Sequence, residues 1–140
     1  MIYHGIDIIE IVRIRHAVER WGERFLRRVY TIGELEDCGA LGAAPRYQSL
    51  AGRWAAKEAA AKALGVGLSG MAMAASAYER PGMTDIEVAR SSDGKPSLCL
   101  HGPAATAAAA LEITSIALSI SHSGAHAIAS VVALAREPKE

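Results

Sequence analysis

Aromatic residues are scarce in this chain. One phenylalanine, two tryptophans and four tyrosines make up 5% of its 140 residues, while alanine supplies much of the 51% that is apolar. Few bulky side chains are available to anchor a core, so small residues must pack helices and strands closely. Association of copies is one way to add the missing burial. Net charge is absent too: 15 lysines and arginines balance 15 aspartates and glutamates, which removes the bulk electrostatic case for nucleic-acid binding. Cysteine is limited to Cys38 and Cys99, far apart and in no metal-ligand spacing. This excludes a disulfide framework and reads as free, buried thiols in a reducing cytoplasm. No basic-then-apolar leader opens the sequence. No apolar run has membrane-spanning length, Ala104–Leu111 being too short, so no membrane partner is expected. The length predicts a single domain, residues 1–140, without repeat or linker.

What is present centres on Arg53–Gly67, rich in alanine, lysine, glutamate and leucine and uninterrupted from Trp54 to Leu64. It predicts a central helix from about Pro45 to Leu64, stopped by Gly65. Arg53, Lys57, Glu58 and Lys62 are set into it, with Glu58 and Lys62 four apart on one face. From this helix alone, such a pair reads first as an ordinary solvated Glu-to-Lys contact.

The β-branched run Met1–Ile9 predicts a first strand, with Gly5 where another backbone can come close. Asp7 lies among isoleucines. It either faces solvent or caps the next helix, or it is a carboxylate held for a metal or a proton. Glu10–Arg20 shows helical periodicity. Phe25–Tyr30 reads as a short mixed segment, and Thr31 with Glu34 has capping-box form, starting a helix to about Ala40. Between Arg13 and Arg28 stand six arginines against Glu19 and Glu23, a local basic patch suited to an acidic partner. Gly65–Thr84 reads as a long loop holding a short helix or strand at most.

The second half alternates with period two. Asp85–Arg90 and Ser97–Leu100 flank the turn chemistry of Ser92–Pro96 and predict a hairpin. Gly102-Pro103 opens a helix to about Leu111; Thr114–His122 and His126–Ala135 predict a second hairpin, followed by a polar tail. The fold class is α+β, mainly antiparallel sheet packed with a long central helix and shorter helices. Ser121 and His122 are adjacent in a strand and point to opposite faces, so they are not a nucleophile and its base. His122 shares parity with Leu118 and Ile120 and has a bland reading as a satisfied strand-end histidine. Two carboxylates with several cations suit Mg²⁺ completed by substrate phosphates, hence phosphoryl-type transfer from a pyrophosphate. The Walker A loop and the kinase motifs are missing.

The ordered motifs Gly5-Ile-Asp-Ile8 with Arg13-Ile14, Phe25-Leu-Arg-Arg-Val-Tyr-Thr31 with Glu34, Leu50-Ala-Gly-Arg-Trp-Ala-Ala-Lys-Glu-Ala59 with Lys62-Ala-Leu-Gly-Val-Gly67, Asp85-Ile-Glu-Val88, Gly94-Lys-Pro96, and Ser119-Ile-Ser-His122 with Ala127-Ile-Ala129 cover almost the whole chain. In these the chain resembles the holo-[acyl-carrier-protein] synthases, the small 4′-phosphopantetheinyl transferases. The resemblance implies transfer of 4′-phosphopantetheine from coenzyme A to a serine of apo acyl carrier protein, releasing adenosine 3′,5′-bisphosphate, with a fatty-acid carrier the default. It implies Asp7 and Glu58 as ligands of Mg²⁺, with Mn²⁺ as an alternative. Glu58, directly or through a metal-bound water, is the candidate for taking the serine proton; Lys62 would hold the pyrophosphate, and Arg53 and His122 would bind the coenzyme A phosphates or its nucleotide end. Arg13 and Arg24 meet the carrier, and the assembly is a homotrimer with sites between subunits. The chain departs from the family in its longer Leu68–Met83 stretch and in Val66, where the family has threonine. The rival readings are a non-catalytic coenzyme A or carrier-binding module, a structural oligomer and a Ser/His hydrolase.

Overall fold

The first strand, β1 (Ile2–Glu10), alternates as its sequence requires. Gly5 and Ile9 are buried and Asp7 is half-buried on one face, while Ile6 and Ile8 stand exposed on the other. The computed structural model describes residues 1–42, 44–68 and 81–137. After β1 come α1 (Ile11–Trp21), α2 (Glu23–Val29), α3 (Ile32–Asp37) and the long α4 (Tyr47–Leu64). A 3₁₀ turn at Met83–Asp85 leads into β2 (Ile86–Arg90), then β3 (Pro96–Leu100), α5 (Gly102–Ala110), β4 (Ile113–His122) and β5 (His126–Ala135). Residues 69–80, most of the loop expected between Gly65 and Thr84, lie outside the described residues, and Met83–Asp85 supplies the short helix at its end.

The segment Phe25–Tyr30, expected to be mixed, is helical in α2. Gly22, at φ +53°, breaks the helical run after Trp21 and lets a second helix start at Glu23, burying Leu26 and Val29. The Thr31 capping box forms as expected. The Thr31 hydroxyl accepts from the Glu34 amide (3.2 Å), and the Glu34 carboxylate accepts from the Thr31 amide (3.1 Å).

Three antiparallel strands in the order β1-β5-β4 form one sheet, and β2 with β3 forms a separate hairpin. Register is set by alternation: Asp7 and Ile120 both stand opposite Ala129, so the two lie on the same face of the sheet. Across that face runs α4, against β1, β5 and β4. Alanines on both surfaces, such as Ala55, Ala59 and Ala63 against Ala127, Ala129 and Ala133, let helix and sheet approach closely. The result is an α+β fold in which the central helix is enclosed on most sides. Among the described residues no helix is long and apolar enough to cross a membrane.

Candidate active site

At Gly5 the backbone of α4 comes close to the sheet. A methyl group there would lie 1.8 Å from the Ala59 carbonyl oxygen and 2.8 Å from the Ala63 nitrogen, so only glycine admits the helix. Asp7 is two residues further along the same face, and Glu58 and Lys62 flank Ala59 and Ala63. The glycine contact therefore brings the strand carboxylate to the two charged residues of the helix.

Lys62 Nζ donates to Asp7 Oδ1 (3.1 Å) and to the Ile6 carbonyl (3.0 Å). The expected Glu58-to-Lys62 surface pair is not what forms, because Lys62 crosses to β1. Nor does Asp7 cap α1; Glu10 occupies the N-cap without a side-chain bond. Asp7 is only 17% exposed while Lys62 is 55% exposed, so the ammonium retains donor capacity toward solvent.

Glu58 has been left incomplete. Its Oε1 is buried and makes no hydrogen bond among the described residues. Burial first, and then the charge of Asp7, push its carboxyl above the usual glutamate range, while Lys62 pulls it partly back. A desolvated carboxylate oxygen beside a second carboxylate has the chemistry of a hard-cation site. One or two carboxylates, with water and phosphate oxygens for the rest, is how Mg²⁺ is ordinarily held. Among the described residues no three of His, Cys, Asp and Glu gather, so an all-protein cage of the zinc type is not formed there.

A family model described as the 4′-phosphopantetheinyl transferase superfamily matches residues 4–131. The chain belongs to the 4′-phosphopantetheinyl transferase superfamily. It is 55% identical to the holo-[acyl-carrier-protein] synthase of Chloroflexus aurantiacus, with 96% of this chain and 99% of that one covered. It is 52% identical to that of Herpetosiphon aurantiacus at the same coverage of 96% and 99%. Among solved structures, Helicobacter pylori holo-[acyl-carrier-protein] synthase in complex with coenzyme A superposes with a TM-score of 0.75 at 33% identity, covering 96% of this chain and 100% of that one.

The remaining expected site residues of this transferase are spread around the Asp7–Glu58–Lys62 group. Arg53 is enclosed, 4% exposed, with Nη2 on Asp37 Oδ2 at 3.3 Å and Nε unpartnered. It faces α3 rather than an open surface. His122 ends β4 opposite Ala127 and is exposed, with no side-chain hydrogen bond among the described residues. Arg13 on α1 and Arg24 on α2 are both exposed. Arg24 lines a recess of about 260 Å³ with Trp21, Phe25 and Arg28, and the guanidinium of Arg20 sits 4.9 Å over the Trp21 ring.

Lys57 and Glu34 are the charged residues whose position the sequence concealed. Both side chains are fully buried and paired, Nζ to Oε1, at 2.6 Å. The capping box places Glu34 at the start of a helix, but nothing local distinguishes Lys57 from its exposed neighbour Lys62.

Proposed function

We propose that the transferase moves 4′-phosphopantetheine from coenzyme A to the serine hydroxyl of an apo acyl carrier protein, with Asp7 and Glu58 holding Mg²⁺. The observation that carries this reading is the buried Glu58 Oε1, without a hydrogen-bond partner among the described residues, on a carboxyl that feels the charge of Asp7. When bound, the metal supplies positive charge that offsets the pyrophosphate and the developing charge of the leaving phosphate. The exposed ammonium of Lys62, already oriented by Asp7 and the Ile6 carbonyl, binds the pyrophosphate. Glu58, whose Oε1 has no hydrogen-bond partner among the described residues, would accept the serine proton. The serine oxygen forms its bond to the phosphorus that carries pantetheine. The bond from that phosphorus to the bridging oxygen breaks, and adenosine 3′,5′-bisphosphate departs.

His122, exposed and without a side-chain hydrogen bond among the described residues, is assigned to the coenzyme phosphates. Arg53, enclosed against Asp37, is left to hold α3 to α4. Arg13 and Arg24 belong to the exposed basic surface that takes the acidic carrier. The outer face of the three-stranded sheet exposes Ile2, Ile6, Ile8, Ile128, Val132 and Leu134, an apolar surface that supports assembly into a homotrimer. The compartment is the cytoplasm, which suits the free thiols Cys38 and Cys99.

Metal titration of the transfer reaction with Asp7→Asn tests the metal assignment. The reading expects the variant to need at least about tenfold more Mg²⁺ for half-maximal rate. An unchanged titration assigns Asp7 to holding Lys62 alone.

A further inference from the structure

Helix α4 has a problem of definition. Ala55, Ala56, Ala59, Ala60, Ala61 and Ala63 are all buried, so small side chains pack around most of its circumference. Apolar contact is non-directional, and near-equal small residues do not distinguish one setting of a helix from the next. A one-residue change of setting is a rotation of about 100° and a slide of about 1.5 Å, enough to carry a side chain out of a site.

Several directional contacts stand against that freedom: the Tyr30 hydroxyl donates to the Leu50 carbonyl (2.8 Å), Arg53 donates to Asp37 (3.3 Å) and Lys62 donates to Asp7 and the Ile6 carbonyl. The Lys57 side chain makes the most buried charged one. Lys57, fully buried, donates from Nζ to Glu34 Oε1 (2.6 Å), the Met83 carbonyl (3.0 Å) and the Ile86 carbonyl (2.5 Å). All three of its donors are satisfied. Glu34 is held in turn by the amides of Thr31 (3.1 Å) and Val88 (3.2 Å). α3, the 3₁₀ turn and β2 thus all meet the Lys57 ammonium, one helical turn beyond the second tie of α3, Asp37 to Arg53. Stability does not demand this arrangement. Buried ion pairs replaced by apolar groups of similar volume are often neutral or better, and fixing register is their best-attested use.

We infer that the buried Lys57–Glu34 pair is a positioning device for the transferase, setting the rotation of α4 and hence where Glu58 and Lys62 lie against Asp7. Glu58 follows Lys57 directly, so the helix cannot turn about its axis without moving both. Gly5 fixes how near α4 comes to the sheet; Lys57 fixes which way it faces. The inference rests on the reading of Asp7 and Glu58 as the metal-holding pair.

The test uses the full chain with Lys57→Met and Glu34→Leu together, which removes both charges and leaves no lone buried ion. Three quantities are compared with wild type: thermal unfolding, Mn²⁺ affinity by electron paramagnetic resonance without substrates, and kcat with the carrier KM. The melting temperature falls, since the Met83 and Ile86 carbonyls and the Thr31 and Val88 amides lose their partners. The inference expects, per folded molecule, Mn²⁺ affinity and kcat each lower by about tenfold or more and a carrier KM within about twofold. Wild-type Mn²⁺ affinity and kcat per folded molecule overturn it, whatever the melting temperature. Glu34→Gln, which keeps shape and loses charge, decides by the same readouts if the double variant does not fold. Failure of both to fold also overturns it, by making the pair a folding requirement. Wild-type protein that binds no Mn²⁺ overturns the metal reading itself, and the inference with it.

Discussion

Gly5 lies against Ala59 so tightly that a methyl on the glycine would sit 1.8 Å from the alanine's carbonyl oxygen. This contact lets strand and helix meet backbone to backbone, and it places Asp7 beside Glu58 and Lys62. The first prediction is that Gly5→Ala separates β1 from α4. It should lower the melting temperature by roughly 5 °C or more, since overpacking at backbone cannot be relieved by a rotamer change. Activity per folded molecule should fall as well, because Asp7 moves with its strand. Thermal unfolding beside an activity assay checks both; a stable, fully active variant contradicts the contact.

Glu58→Gln keeps the size of the side chain and removes the charge that lies desolvated beside Asp7. The fold should persist with equal or higher stability, since an unpartnered buried carboxylate oxygen is unfavourable. Turnover should drop by about a hundredfold or more if Glu58 both holds the metal and takes the proton. Stability and turnover moving in opposite directions is the signature; parallel losses assign Glu58 to the fold.

These residues show what the sequence makes legible. Asp7 stands out locally as a carboxylate in an isoleucine strand, whereas Glu58 and Lys62 read alone as an ordinary solvated pair, and the family resemblance is what groups the three. The alternation of β4 and β5 and the Thr31 capping box were equally plain, because each rests on neighbours two or three residues away. The second helix was hidden because Gly22 interrupts its periodicity. The burial of Lys57 was hidden for a deeper reason. Its carboxylate partner is Glu34, 23 residues earlier, and its other acceptors are main-chain carbonyls 26 and 29 residues later, which have no sequence signature.

Arg13→Glu with Arg24→Glu should raise the carrier KM by about tenfold at low ionic strength and leave coenzyme A binding unchanged. The gap from wild type should narrow as salt is added, because these side chains are exposed and screened. Steady-state kinetics at two salt concentrations checks it. A defect confined to coenzyme A places the two arginines elsewhere in the reaction.

Acid stability should depend on Glu87. A hydrogen bond from the Thr31 hydroxyl, with His101 Nε2 3.1 Å away on the other oxygen, holds its carboxyl below the usual glutamate range despite partial burial. A depressed carboxyl contributes stability that is present above the unfolded-state value and is lost as pH falls through the folded one. Wild type should therefore melt higher than Glu87→Gln near pH 6 by a margin that closes toward about pH 3. A margin independent of pH contradicts this account of the Thr31–Glu87–His101 contacts.

The two thiols should be distinguishable. Burial pushes the Cys38 thiol up, with Arg53 opposing, while Cys99 is exposed on β3. Native protein treated with iodoacetamide near pH 8 should gain a single adduct, on Cys99, and a second only after denaturation. Peptide mapping by mass reads the outcome, and rapid alkylation of native Cys38 contradicts the packing around α3.

The most direct measurement is the intact mass of an apo acyl carrier protein incubated with this protein, coenzyme A and Mg²⁺, with and without a chelator. The account predicts that the carrier gains one phosphopantetheine, and that the gain disappears with chelator and with Glu58→Gln. No gain on any acyl carrier, from protein that binds coenzyme A normally, contradicts the account and makes the chain a binding module rather than an enzyme.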